Sequence, residues 1–99
     1  MTQEAELLIE NKKGLHARAA AKFVKTATQF EAKVMVAKIA GAGVSEGTPL
    51  LESSGGSILG LMMLGAECGS KLRLRAEGAQ AAEAMATLKK LIGERFAEE

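Results

Sequence analysis

The chain has no tryptophan or tyrosine, and only one cysteine, one proline and one histidine. Three phenylalanines are its only aromatics, which leaves little on which nucleobases could stack. Cys68, alone, cannot form an internal disulfide, which suits a reducing compartment and predicts a cytoplasmic location. It is expected to be a small buried or half-buried residue with no redox work. One histidine and one cysteine cannot build a usual ligand set, so no metal is expected, and no cofactor. Neither sign of charge dominates. The 13 Lys and Arg against 12 Asp and Glu leave a net charge of +1, which gives no reason to expect nucleic-acid binding. No apolar stretch approaches the roughly 20 residues of a membrane helix, so no membrane insertion is expected. Met1-Thr2-Gln3-Glu4 has neither the basic start nor the apolar core of a signal peptide. The 99 residues, 47% hydrophobic and 25% charged, predict one globular domain over 1–99, a monomer.

The histidine is placed where it can do chemistry. In Gly14-Leu15-His16-Ala17-Arg18, Gly14 can break the strand before it, and the run from Ala17 onward is a strong helix former without Gly or Pro. His16 therefore falls at or next to a helix N-cap. The N–H groups of Ala17 and Arg18 converge there with the positive end of the helix dipole, a ready site for an anion. The guanidinium of Arg18, two residues on, adds a charged donor.

Periodicity fills in the rest. Residues 4–10 (with a core at Ala5 to Glu10) predict a strand with Leu7 and Ile9 on one side, followed by a helix over Ala17 to Gln29. A second strand is expected over 32–38, then a long loop from Ile39 to Pro49 and a short strand from Leu50 to Ser53. Ser57 caps a short apolar helix from Ile58 to Leu64, and residues 71–77 alternate cleanly as a strand. A last helix is expected over Ala79 to Phe96, with Ala82, Met85, Leu88, Leu91 and Ile92 on one stripe, and Ala97-Glu98-Glu99 fraying beyond it. The order β-α-β-β-α-β-α predicts an α+β fold, a four-stranded, largely antiparallel sheet with three helices on one face.

Three segments carry a resemblance. Gly14-Leu15-His16-Ala17-Arg18 with Ala20-Ala21 and Phe23-Val24, Gly56-Ser57-Ile58-Leu59-Gly60-Leu61-Met62-Met63-Leu64, and the Gly69 to Gly78 region ending in Ala76-Glu77-Gly78 resemble, in order, three segments of the HPr phosphocarrier family. The resemblance implies an open-faced β-sandwich and a place in the phosphoenolpyruvate-dependent phosphotransferase system. His16 would take a phosphoryl group from Enzyme I on its δ1 nitrogen and pass it to a downstream component. Ser57 would match the family's regulatory serine, the target of an HPr serine kinase. Two departures stand out: Ala19 occupies the position where the family usually has proline, and the Ile39 to Pro49 loop is longer than the family turn. Proline suits a first helical turn, so Ala19 restores a donor and leaves the phosphate cradle less rigid. Whether the receiver belongs to a sugar or a nitrogen branch is left open by the residues.

The chemistry stands without the family. A free imidazole titrates near 6.5, so near neutrality much of it is unprotonated and can attack phosphorus without a separate base. A helix start favours an anion by about 0.3–1 kcal/mol, and a charge-assisted hydrogen bond adds about 1.5–3. That total holds a phosphoryl group without trapping it. Arg18, Lys22 and Lys25 make a basic stripe at four- and three-residue spacing, and Ile58, Leu59 and Met62 fall together on the short helix while Leu61 and Leu64 turn inward. Together they would suit partners with an acidic rim and an apolar centre. The blander readings are a surface histidine, a Ser57 that is only an N-cap, a solvated basic face, and Met62 and Met63 as core and rim packing. Two other functions remain: a non-catalytic regulator acting through Ser57 and the Ile58/Leu59/Met62 patch, and a small-ligand or interaction domain of split β-α-β type. The intact His16 weighs against the first, and the want of a polar ligand constellation against the second.

Overall fold

A computed structural model describes residues 1–47 and 49–98. Its elements are β1 (Thr2–Leu8), α1 (Ala17–Ala27), β2 (Lys33–Ala40), β3 (Glu52–Ser54), α2 (Ile58–Met63), β4 (Lys71–Glu77) and α3 (Ala81–Gly93). The sheet order is β1-β4-β2-β3, antiparallel throughout. β4 lies between β1 and β2, so the β1-α1-β2 unit crosses over a strand that arrives later in the sequence.

Alternation decides which face is dry. On β4, Leu72, Leu74 and Ala76 are fully buried while Lys71, Arg75 and Glu77 are exposed. Across the ladders Leu74 pairs with Ala5 and Val36, and Ala76 with Val34, so inward residues meet inward residues. The three helices cover this face. α1 contributes Ala19, Ala20, Phe23 and Ala27, α2 contributes Leu61, and α3 contributes Ala81, Ala84, Met85, Leu88 and Ile92. Burial of a side chain such as Phe23 or Leu88 favours the fold by about 1.5–3 kcal/mol.

Several expected boundaries move. β1 stops at Leu8 because Ile9 turns into the core, its N–H bonding Ser70 O and its carbonyl accepting from Gly69 N at 2.8 Å each. α1 stops at Ala27, where Thr28 caps it, and β2 runs on to Ala40 across a bulge between Lys38 and Ala40. β3 begins at Glu52 rather than Leu50. Thr48, within the long loop, lies outside the described residues, as does Glu99.

The largest correction lies at the last helix. α3 ends at Gly93, and Arg95, Phe96 and Ala97 follow with φ of 57°, 56° and 58°. Left-handed backbone costs roughly 1–2 kcal/mol per non-glycine residue, so something must offset it. The offset is Phe96, which this turn drives into the core to full burial. The apolar stripe of α3 is also displaced: Ala81 and Ala84 are buried, Leu91 is half-buried and Ala82 faces solvent. Cys68 is exposed, contrary to expectation, because it sits in the turn that precedes β4, with Sγ 3.7 Å from Glu10 O.

Candidate functional site

Gly14 fixes the loop ahead of α1. Its φ is +65°, and a β-carbon there would lie 2.4 Å from Ala66 O and 2.7 Å from Glu67 Cα. Only glycine combines that backbone with that approach. Leu15 is buried and donates its N–H to Ala66 O at 2.8 Å, while buried Asn11 donates from Nδ2 to Gly14 O at 2.7 Å. The next residue, His16, is thereby held as the N-cap of α1, with φ −78° and ψ −178° and its carbonyl accepting from Ala20 N at 2.8 Å.

Each ring nitrogen of His16 has its own partner. Nδ1 accepts from Arg18 N–H at 3.3 Å, so the ring faces the helix start as the sequence predicts. Ala17, the first helical residue, supplies another of the N–H groups that a helix start leaves without intrahelical acceptors. Nε2 lies 2.6 Å from Glu98 Oε2. A carboxylate only accepts, so Nε2 carries the proton and the lone pair of the ring is on Nδ1. The ring is about one-quarter exposed, open enough to meet a partner.

Glu98 was expected in a frayed tail, and the structure overturns this. Its Oε1 accepts from Asn11 Nδ2 at 3.0 Å, and its side chain is only 12% exposed. Ahead of it Lys22 Nζ donates to Phe96 O at 2.5 Å, and Phe96 anchors the segment in the core. Burial pushes the Glu98 carboxyl up, but hydrogen bonds from His16 and Asn11, with the charge of Lys22 and that of His16 whenever its ring is protonated, outweigh it and hold it below the usual carboxylate range.

Lys12, Lys13, Arg18, Lys22, Ala97 and Glu98 line a cavity of about 360 Å³ beside this histidine. Arg18 and Lys22 of the expected stripe take part, whereas Lys25, a turn further on and exposed, does not. Asn11, Lys12, Lys13 and Glu98 were missed by the sequence reading. The adjacency of Lys12-Lys13 to Gly14 was a usable signal, whereas nothing local marks Glu98. Four cationic side chains around one carboxylate make a site suited to oxyanions.

The other expected residues lie on α2. Ser57 is its N-cap and accepts from Gly60 N at 2.9 Å, which accounts for a serine at this position. Leu61 and Leu64 are buried, and Ile58, Leu59 and Met62 are 42%, 68% and 41% exposed, so the short helix does present an apolar face. Met63, expected as packing along with Met62, is 71% exposed and belongs to that face instead. The helix is one turn and a half long, and its inward positions are already taken by Leu61 and Leu64.

An open-faced sheet carrying a histidine N-cap over a cationic cavity defines a class of small phosphocarrier domains. Residues 3–94 match the family described as the PTS HPr component phosphorylation site. The chain belongs to the HPr family of phosphocarrier proteins of the phosphotransferase system. It is 42% identical over 98 residues to phosphocarrier protein HPr of Neisseria meningitidis serogroup A, covering 99% of this chain and 97% of that one. It is 43% identical over 93 residues to HPr of Pseudomonas aeruginosa, covering 94% and 93%. Among solved structures, HPr-C-His from Thermoanaerobacter tengcongensis matches with a TM-score of 0.80 and 37% identity over 98% of both chains. The HPr of Bacillus anthracis matches with a TM-score of 0.76 and 30% identity, over 92% of this chain and 96% of that one.

Proposed function

We propose that this phosphocarrier accepts a phosphoryl group on Nδ1 of His16 from Enzyme I and passes it to a downstream component of the phosphotransferase system. The observation that carries the reading is the pair of contacts on one ring: Nε2–H is committed to Glu98 and the Nδ1 lone pair faces the start of α1. Attack by that lone pair puts the phosphoryl oxygens at the backbone donors of Ala17 and Arg18, where the helix dipole favours negative charge. Arg18 and Lys22 add cationic donors from the same helix, and Lys12 and Lys13 from the loop before it. Phosphate brings roughly −1.5 to −2 charge and three strong acceptors, which this group of side chains can partner.

Donor and receiver then compete for one surface. The exposed Ile58, Leu59, Met62 and Met63 supply an apolar centre, and Arg18, Lys22 and Lys25 a basic side that an acidic partner would match. A place among phosphoryl-transfer components is supported by the Escherichia coli O157:H7 multiphosphoryl transfer protein, 22% of whose length aligns with 94% of this chain at 33% identity. Such a carrier is a group-transfer partner more than an autonomous catalyst, since the enzymes on either side supply most of the transition-state surroundings. In a test with phosphoenolpyruvate and Enzyme I, the protein gains an acid-labile phosphoryl label and His16→Ala gains none. Equal labelling of His16→Ala ends the proposal.

A further inference from the structure

The contact between His16 and Glu98 joins residues 82 positions apart in sequence and fixes the tautomer of the resting ring. Glu98 is held on both oxygens: Oε2 by the ring of His16 and Oε1 by Asn11, whose amide also holds Gly14 O. The backbone ahead of it is fixed by buried Phe96 and by the Lys22 bond to the Phe96 carbonyl. A carboxylate built in so fully is placed against one atom, the Nε2 of the candidate acceptor.

We propose that Glu98 is a positioning residue for phosphoryl transfer, holding a proton on Nε2 of His16 before and after the bond from Nδ1 to phosphorus forms. This rests on His16 being the acceptor. In the first half-reaction the Nδ1 lone pair forms the N–P bond, the bond from phosphorus to the donor atom breaks, and its electron pair leaves with the donor. No proton moves. The ring, neutral at the start, becomes a phosphoimidazolium whose Nε2–H⁺ points at the Glu98 carboxylate. In the second half-reaction the receiver's nucleophile takes the phosphoryl group and the N–P electron pair returns to the ring. With Nε2 protonated the departing group is neutral imidazole, and without that proton it is imidazolate, a far poorer leaving group. The role parallels that of a carboxylate behind a catalytic histidine, which fixes the tautomer and steadies the cation without taking the proton.

The charges facing Glu98 agree with the role. From the loop comes Asn11 and from α1 His16 and Lys22, which hold the carboxylate in its ionised form, while Lys12, Lys13 and Arg18 add only cationic groups to the cavity lining beside it.

The test is a pH titration, followed by ¹⁵N NMR of the His16 ring, of protein phosphorylated with phosphoenolpyruvate and Enzyme I. Glu98→Gln keeps the size and an acceptor but removes the charge. It should lower the midpoint for loss of the Nε2 proton by about one pH unit, and so slow onward transfer about tenfold above that midpoint. In the unphosphorylated protein, Glu98→Ala should turn a ring protonated on Nε2 into a mixture of tautomers. An unmoved or raised midpoint overturns the assignment of Glu98, as does faster transfer by Glu98→Gln, which would make the carboxylate an obstruction. If His16 takes no label, the carrier reading and this inference fall together. A labelled His16 with an unmoved midpoint removes this inference alone.

Discussion

Lys22 Nζ donates to the carbonyl of Phe96 at 2.5 Å, tying the middle of α1 to a residue 74 positions later. The bond closes over a turn in which three successive residues have φ near +57°, and Phe96 itself is fully buried. Apolar burial and one charged donor together hold this strained segment on α1. Phe96→Ala should therefore destabilise the protein by about 3 kcal/mol, from lost burial and the cavity left behind. Lys22→Ala should cost about 1.5 kcal/mol, the low end for a charge-assisted hydrogen bond because the bond is only part-buried. Urea unfolding measures both, and a Phe96→Ala loss below about 1 kcal/mol would show that the segment contributes little to the fold.

The Glu98 contacts depend on pH in a direction that its neighbours fix. The folded carboxyl titrates below the usual value of 4.5, so its contribution to stability is fully present above that value. It is lost as pH falls below about 4.5 and through the folded midpoint. Over that window the unfolding free energy of the native protein should fall towards that of Glu98→Gln. A difference that widens on acidification would reverse the sign of the coupling.

Gly14 leaves no room for a side chain. Gly14→Ala places a β-carbon 2.4 Å from Ala66 O in a left-handed conformation, so the loop must shift. The backbone alone costs about 1–2 kcal/mol. Because the next two residues are Leu15 and His16, phosphorylation should slow along with the fall in melting temperature. Retention of full stability with normal labelling would mean that the loop has another conformation of equal energy.

Arg18 separates binding chemistry from folding. Its side chain is exposed, so Arg18→Ala should change stability by less than about 0.5 kcal/mol while slowing transfer. One charge-assisted bond of about 1.5–3 kcal/mol corresponds to roughly a tenfold or greater loss. Rapid-quench transfer from Enzyme I measures it, and an unchanged rate would make the guanidinium a bystander.

The site was legible only in part. Gly14-Leu15-His16-Ala17-Arg18 encodes its own geometry, since a glycine, an N-cap and the first turn are consecutive and interact locally. β4 was read without error because strict alternation on one strand has a single solution once one face is dry. The end of α3 was misread for the opposite reason. Gly93 is the one weak helix former in the run from Lys89 to Phe96 and stands where α3 ends, but a single glycine costs only about 1 kcal/mol in a helix and does not by itself require a stop. What stops it is the space for Phe96 between elements that are distant in sequence.

The amino-acid order alone carried the element types, the dry face of the strands, and a histidine aimed at a helix start, because these follow from neighbours within about four residues. The partner of Nε2, the gathering of Lys12 and Lys13 with Arg18 and Lys22, and the exposure of Cys68 and Met63 came from folding. The first two depend on where α3 and the turn after it deliver the chain, and the exposure of Cys68 and Met63 on how the turn before β4 and the short α2 sit on the sheet, all matters of long-range packing.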